Sequence, residues 1–320
     1  MEIIKVNALN KSYKQNLAVK NASFSVIKGE IFGILGPNGA GKTTMLEMIE
    51  GLRSIDSGGI IVNNVDVNDK DNRASLQEII GVQLQSSAYF DKLKLVEILD
   101  LFGSMYKKKK DPIELLKMVG LYEKRNELVK NLSGGQAQRF SIIAALINDP
   151  DIVFLDEPTT GLDPNIRREL WELIKQINKE GKTIILTTHY MEEAEELCDR
   201  IAIMYEGSLI DLDTPQNLII KQNLKFTIKF IPEEAFNDAI LKKVSDMTEI
   251  VELWNEKEKI VLRIEDSKLI NDILKDIEDI GIEFKNLEII PPNLEDVFIT
   301  LTGNSLRKGV NHGNSESLIK

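Results

Sequence analysis

The chain has 320 residues, 42% of them hydrophobic and 28% charged, enough for one large domain and a smaller one. Forty Lys and Arg stand against 51 Asp and Glu, a net charge of −11. That argues against a nucleic-acid binder, which needs a basic face to neutralise phosphates. The single cysteine, Cys198, excludes an intramolecular disulfide and a cysteine-built zinc site, and two histidines leave little for a mixed metal centre.

In chain order, Met1 to Asn7 lacks the basic, apolar and small-residue sequence of a secretory leader. The longest strictly apolar stretch, Ile142 to Ile147, is far short of the roughly 20 residues that span a bilayer. The expectation is a soluble, cytoplasmic chain with no transmembrane segment of its own. Ile31 to Leu35 reads as a short buried strand, followed by a helix from Thr43 to Gly51. Lys107 to Lys110, followed by Asp111-Pro112, reads as a solvated loop between helices. Ile152 to Leu155 and Thr183 to Leu186 are further continuous apolar strands, each followed by a helix (Arg167 to Lys179 and Met191 to Cys198). Runs without alternation indicate strands buried on both faces, as in a parallel sheet covered by helices. Trp171 and Cys198 read as packing residues of those helices.

Near Asp213-Thr214-Pro215 the pattern changes. Lys225 to Phe230 alternates as a strand with one wet face does. A helix from Glu233 to Val244 follows, then strands near Ile250–Trp254 and Ile260–Ile264. A helix over 268–280, with Ser267 as cap and Gly281 as stop, and a strand Phe284 to Ile290 complete β-α-β-β-α-β, the order of ferredoxin-like domains. Over 225–303 there are 18 acidic and 10 basic residues, so this part supplies most of the net charge. Residues 304–320 are polar and read as a disordered tail.

Three segments carry chemistry. Gly36-Pro37-Asn38-Gly39-Ala40-Gly41-Lys42-Thr43 satisfies G-x-x-x-x-G-K-[ST] between a strand and a helix. Its glycines let backbone N–H groups turn toward phosphate oxygens, and the helix N-terminus adds partial positive charge. Lys42 then reaches the β- and γ-phosphates and Thr43 offers a hydroxyl to Mg²⁺. At the end of the strand Ile152 to Leu155 stand Asp156 and Glu157, the first to hold magnesium and the second to polarise the attacking water. Two acids closing an apolar strand are costly unless a cation sits there. Leu132-Ser133-Gly134-Gly135-Gln136 lies 24 residues before Asp156, counted from its leucine. It opens another helix and presents a second anion-binding edge without a lysine.

Together these segments resemble the signature of ATP-binding cassette proteins, and the resemblance covers nearly all of residues 1–220. It implies an α/β P-loop NTPase cassette (residues 1–220) with a helical subdomain at about 88–145. A small α+β ferredoxin-like domain (221–303) follows. By the same resemblance Tyr13 stacks on adenine, and Thr44 joins the phosphate loop. Gln85 contacts magnesium and water, with Gln83 a rival by register. Asp163, in Gly161-Leu162-Asp163-Pro164, lies in a loop that crosses between paired subunits, and His189 senses the γ-phosphate. The implied cofactors are ATP and Mg²⁺. The implied assembly is a head-to-tail homodimer in which Ser133, Gly134, Gly135 and Gln136 of one subunit cover the ATP of the other. It works with a separate integral-membrane permease, recruited through roughly Leu93 to Leu132, and sits peripherally on the inner face of the cell membrane. The run from Thr188 to Asp199 and the segment Asn293 to Phe298 resemble bacterial type 2 exporters of drug-like or hydrophobic cargo. A soluble cassette ATPase of translation or DNA repair is the alternative.

Overall fold

A computed structural model describes residues 1–14, 16–83, 89–90, 92–222, 224–233, 244, 250, 252–256 and 259–303. The chain divides into two compact units after Pro215. The first opens with two long strands, β1 (Glu2–Tyr13) and β2 (Asn16–Ile27), then β3 (Ile31–Leu35) and α1 (Lys42–Ile49). There follow β4 (Ser57–Val62), β5 (Val65–Asp66), α2 (Arg73–Ile79), β6 (Ile80–Gln83), α3 (Leu95–Gly103), α4 (Pro112–Met118) and α5 (Gly134–Ala144). β7 (Ile152–Asp156), α6 (Pro164–Lys179), β8 (Thr183–Thr188), α7 (Met191–Leu197), β9 (Arg200–Tyr205) and β10 (Ser208–Asp213) complete it.

The ten strands run in the order β5-β4-β1-β2-β10-β9-β3-β8-β7-β6. From β9 to β6 all neighbours are parallel. β3, β7 and β8 are buried at every position, as their unbroken apolar runs demand. Phe32, Ile34, Phe154 and Ile185 share one core with Met45, Met48 and Ile49 of α1, each large apolar side chain contributing about 1.5–3 kcal/mol by burial. The other half of the sheet is antiparallel: β2, β1, β4 and β5. The expected parallel, helix-covered strands are thus joined by an antiparallel wing that the α/β reading did not include. β1 and β2 are amphipathic strands that meet after Tyr13, and a single parallel pair, Ser208 with Lys20, joins them to the main sheet.

The lysine tract lies between α3 and α4, with Lys107, Lys108 and Lys109 exposed as a solvated loop requires. Lys108 pairs with Asp149, and Lys110 with Glu180 at 3.0 Å. Cys198 is buried. Trp171 does more than pack, because its indole N–H donates to the buried Glu193 at 3.1 Å.

The second unit carries α8 (Pro215–Lys221 at its entry), β11 (Phe226–Pro232), β12 (Glu252–Glu256), β13 (Lys259–Ile264), α9 (Ile270–Asp279), β14 (Phe284–Ile290) and α10 (Leu294–Thr302). Its sheet has the order β12-β13-β11-β14 with every pair antiparallel, the arrangement of a split βαβ fold. The helix expected over Glu233–Val244 lies almost wholly outside the described residues, and so does the tail 304–320. Ser267 is not the cap: Asp266 caps a 3-10 turn over Ser267–Leu269, its carboxylate accepting from the Lys268 N–H at 2.9 Å, and that turn leads into α9. Gly281, with φ of 76°, ends that helix in the left-handed region. Asn293 opens α10 in a reciprocal capping box with Asp296. Among the described residues no helix is long and apolar enough to cross a membrane.

Candidate functional site

Strand order brings the motifs together. β3, β8 and β7 are parallel neighbours, with Leu35 paired to Thr188 and Asp156 to Thr187. Their carboxyl ends therefore deliver the glycine loop, His189 and the Asp156–Glu157 pair to one edge, where open α/β sheets bind ligands. The Gly36 N–H donates to the Thr188 carbonyl at 3.2 Å and ties the loop to that edge.

The loop residues Gly36 to Gly41 lead straight into α1. Gly41 has φ of 102°, and a Cβ there would stand 2.1 Å from the Ala18 carbonyl oxygen. Gly41→Ala is therefore expected to distort the loop. The left-handed conformation alone costs a side chain roughly 1–2 kcal/mol, and the collision adds to it. Nucleotide titration together with thermal unfolding checks this: loss of binding and a lower Tm are expected.

Lys42 is buried, and its ammonium donates to the carbonyls of Gly36 at 2.9 Å and Pro37 at 3.1 Å. It also stands 3.2 Å from Glu157 Oε1. On the other oxygen of the same carboxylate lie His189 Nδ1 at 3.2 Å and the donating Thr160 hydroxyl at 3.0 Å. Glu157 has φ of 47°, a left-handed conformation that a non-glycine residue holds only when its surroundings enforce it. Its N–H is anchored on the Thr187 hydroxyl at 2.9 Å. The His189 imidazole and then Lys42 hold the Glu157 carboxyl down at about 2, against the upward push of burial.

Asp156 is buried too, and burial raises its pKa despite hydrogen bonds from Thr187 and Thr43. The Thr43 hydroxyl lies 3.0 and 3.2 Å from its two carboxylate oxygens. A hydroxyl and a carboxylate beside a phosphate loop form a hard-oxygen set. It suits Mg²⁺, which is commonly held by one or two carboxylates and substrate phosphates rather than by an all-protein cage.

A cavity of about 610 Å³ opens over the loop, within the usual range of small-molecule sites. Tyr13, Asn38, Gly39, Gly41, Lys42, Thr43, Thr44 and Glu157 line it, so Tyr13 and most of the predicted phosphate loop share one space, while Gly36, Pro37 and Ala40 are not among the lining residues. The Tyr13 ring is 39% exposed, and the Arg53 guanidinium lies 5.3 Å from its centroid. Asn16, Lys20 and Glu206 also line the cavity, and sequence reasoning missed them. They carry no motif and reach it only because β2 pairs with β10, where the Lys20 N–H donates to the Gly207 carbonyl at 2.8 Å.

Other predicted residues stand elsewhere. Ser133 caps α5 in a reciprocal box, its hydroxyl accepting from the Gln136 N–H and the Gln136 amide oxygen accepting from the Ser133 N–H. Ser133 and Gly134 are exposed, while Gly135 is buried against Ile166. None of residues 133–136 is among those lining the cavity of their own chain, nor is Asp163, which is exposed at the start of α6. Gln85 lies outside the described residues. Its rival Gln83 is buried at the end of β6, paired with Leu155.

The family model described as "ABC transporter" matches residues 19–160. The linearmycin resistance ATP-binding protein LnrL of Bacillus subtilis is 35% identical over 313 residues, which cover 95% of this chain and all of that protein. The Nod factor export ATP-binding protein I of Rhizobium meliloti is 37% identical over 313 residues, 95% of this chain and 89% of its own. Among solved structures, the dimeric post-hydrolysis ATP-binding cassette MJ0796 with bound ADP and Pi aligns at a TM-score of 0.60 and 29% identity. That alignment covers 66% of this chain and 98% of that one. Nearly full-length likeness to drug-resistance and export ATPases, on a fold whose sheet edge gathers the phosphate loop, Asp156, Glu157 and His189, places this chain in the ATP-binding family of ABC transporters.

Proposed function

We propose that two copies of this chain close head to tail around two MgATP and that the closure drives a separate integral-membrane permease. One observation carries the reading. Each chain holds a phosphate cavity open on one side and an exposed Ser133–Gly134 turn that does not line it. A two-fold pair supplies each cavity with the turn of its partner, in a self-complementary interface with two equal sites.

Within each site Lys42 exchanges the Gly36 and Pro37 carbonyls and Glu157 for phosphate oxygens. Thr43 and Asp156 would hold Mg²⁺, which when bound neutralises phosphate charge. Gln85, or its rival by register Gln83 at the end of β6, is the candidate to reach the ion and the water. Released from Lys42, the Glu157 carboxylate loses a partner that suppresses its basicity and can polarise the attacking water, while His189 orients it. The Ser133 turn of the partner adds hydroxyl and N–H groups to the γ-phosphate, stabilisation that is preorganised and exists only in the closed pair. Tyr13 offers its ring to the base.

The drug-resistance and export names of the relatives support export of hydrophobic or drug-like cargo. They also support a seat on the inner face of the cell membrane beside the permease. Residues 1–220 would act as the motor and 221–303 as an accessory domain. Analytical ultracentrifugation of Glu157→Gln tests the pairing: a dimer is expected with MgATP and a monomer with ADP. A monomer in saturating ATP would sink the proposal.

A further inference from the structure

Glu157 and His189 touch at 3.2 Å but follow different strands, β7 and β8. The ladder between those strands ends at Asp156 and Thr187, so side chains must hold one loop against the other. Glu193, in α7, takes no part in binding ATP or magnesium, yet it is wholly buried, at 0% exposure. Its Oε1 accepts from the Thr159 hydroxyl at 2.7 Å and from the Trp171 indole at 3.1 Å. Thr159 is itself wholly buried and stands two residues beyond Glu157. The next residue, Thr160, donates to the Glu157 carboxylate at 3.0 Å.

Burial raises the Glu193 pKa, and the Thr188 hydroxyl first, then Thr159, Trp171 and the charge of Arg167, act against it. Thr188 immediately precedes His189, and its own hydroxyl accepts from the Tyr190 N–H at 3.0 Å. The Arg167 guanidinium lies 4.1 Å from the centroid of the Tyr190 ring, which is 4.2 Å from that of His189. Packing does not call for an acid at this place. A leucine or methionine would fill the space without taking a charge out of water, an exchange that is often neutral or stabilising. What an apolar residue lacks is direction. Hydrogen bonds fix the hydroxyls they hold, and groups near reacting atoms must be held to within about 0.5 Å. None of Thr159, Trp171, Thr188 and Glu193 lines the nucleotide cavity, so their bonds bear on the placement of Glu157 and His189 rather than on affinity.

We propose that Glu193 is a positioning residue for ATP hydrolysis. It ties the loop that carries Glu157 to the turn that carries His189, and so sets the distance at which the imidazole steadies the carboxylate. The inference rests on the reading of Glu157 as the group that polarises water and of His189 as its orienting partner. Glu193 touches neither nucleotide nor water; it acts through Thr159 on one side and the Thr188–Tyr190 turn on the other.

The test measures turnover at saturating MgATP, and affinity for a non-hydrolysable ATP analogue, on the purified full chain. Glu193→Gln keeps the size of the side chain but replaces one acceptor oxygen by an N–H donor. It should reduce turnover about 10–10²-fold, the scale for misplacing a reacting group by an ångström, and leave affinity unchanged. Thr159→Val, which removes one hydroxyl at nearly constant shape, should slow turnover to a similar degree. Thr159→Ser keeps the hydroxyl and should run at the parental rate. Glu193→Gln combined with Thr159→Val should be no slower than the slower single variant, because both break the same bond. Parental turnover in Glu193→Gln overturns the role of Glu193, and so does affinity lost along with turnover, the mark of a purely structural brace. Equal rates in Thr159→Val and Thr159→Ser, or multiplied losses in the double variant, overturn it as well. If Glu193→Gln does not fold, the two Thr159 variants decide the matter. Parental turnover in Glu157→Gln would remove the reading on which the inference rests, whereas a slow Glu157→Gln beside a fast Glu193→Gln removes the inference alone.

Discussion

Glu157→Gln is expected to bind ATP with undiminished affinity and to hydrolyse it roughly 10²–10⁴ times more slowly, the span for loss of a general base. The amide keeps the size of the side chain and its place at the end of β7, so the loop and Lys42 stay where they are. It cannot accept a proton from water. In the structure the Glu157 carboxyl is held at about 2 by His189 and Lys42. A group depressed in this way is ionised across the whole working range. The chain without nucleotide should therefore show no titration of this carboxylate between pH 5 and 8 in carboxyl-resolved NMR. Phosphate release at saturating ATP, measured beside nucleotide affinity, decides the matter. Near-normal turnover in the variant would remove Glu157 from the role of base. His189→Ala should slow turnover too, since the imidazole at 3.2 Å positions the same carboxylate.

The second large effect concerns the turn before α5. Ser133→Arg should leave the nucleotide affinity of the single chain intact and reduce ATP turnover by about 10²–10³, the usual loss when preorganised donors are removed from a transition state. The residue is exposed and does not line the cavity of its own chain, so a bulky cation there has room in the monomer. In a closed pair the same side chain would occupy the space over the partner's γ-phosphate. Arginine also removes the hydroxyl that caps Gln136, which costs on the order of 1 kcal/mol of helix stability, too little to unfold the unit. Combined with Glu157→Gln, it should abolish the ATP-dependent dimer in sedimentation. Failure of the single chain to bind ATP would show instead that the turn serves its own site.

The amino-acid sequence by itself determined most of the features whose physics is local. The glycine loop is legible because only glycine accepts the backbone that Gly41 adopts. The Asp156–Glu157 pair is legible because two acids at the end of a fully apolar strand demand a cation. The Ser133–Gln136 cap is legible because a capping box is closed within four residues. The same holds for the doubly buried strands β3, β7 and β8, whose unbroken apolar runs have no other stable setting. Pairing between distant strands decided the rest. The antiparallel wing of β1, β2 and β4 escaped notice because its strands are amphipathic and its partners are set by topology. For the same reason nothing in the local sequence linked Lys20 and Glu206 to the nucleotide cavity. The burial of Glu50, only 4% exposed, was equally invisible, since an acid near a helix end reads as solvated from the sequence alone. Local backbone geometry is written within a few residues, whereas the electrostatic meaning of a side chain depends on which distant segments exclude water from it.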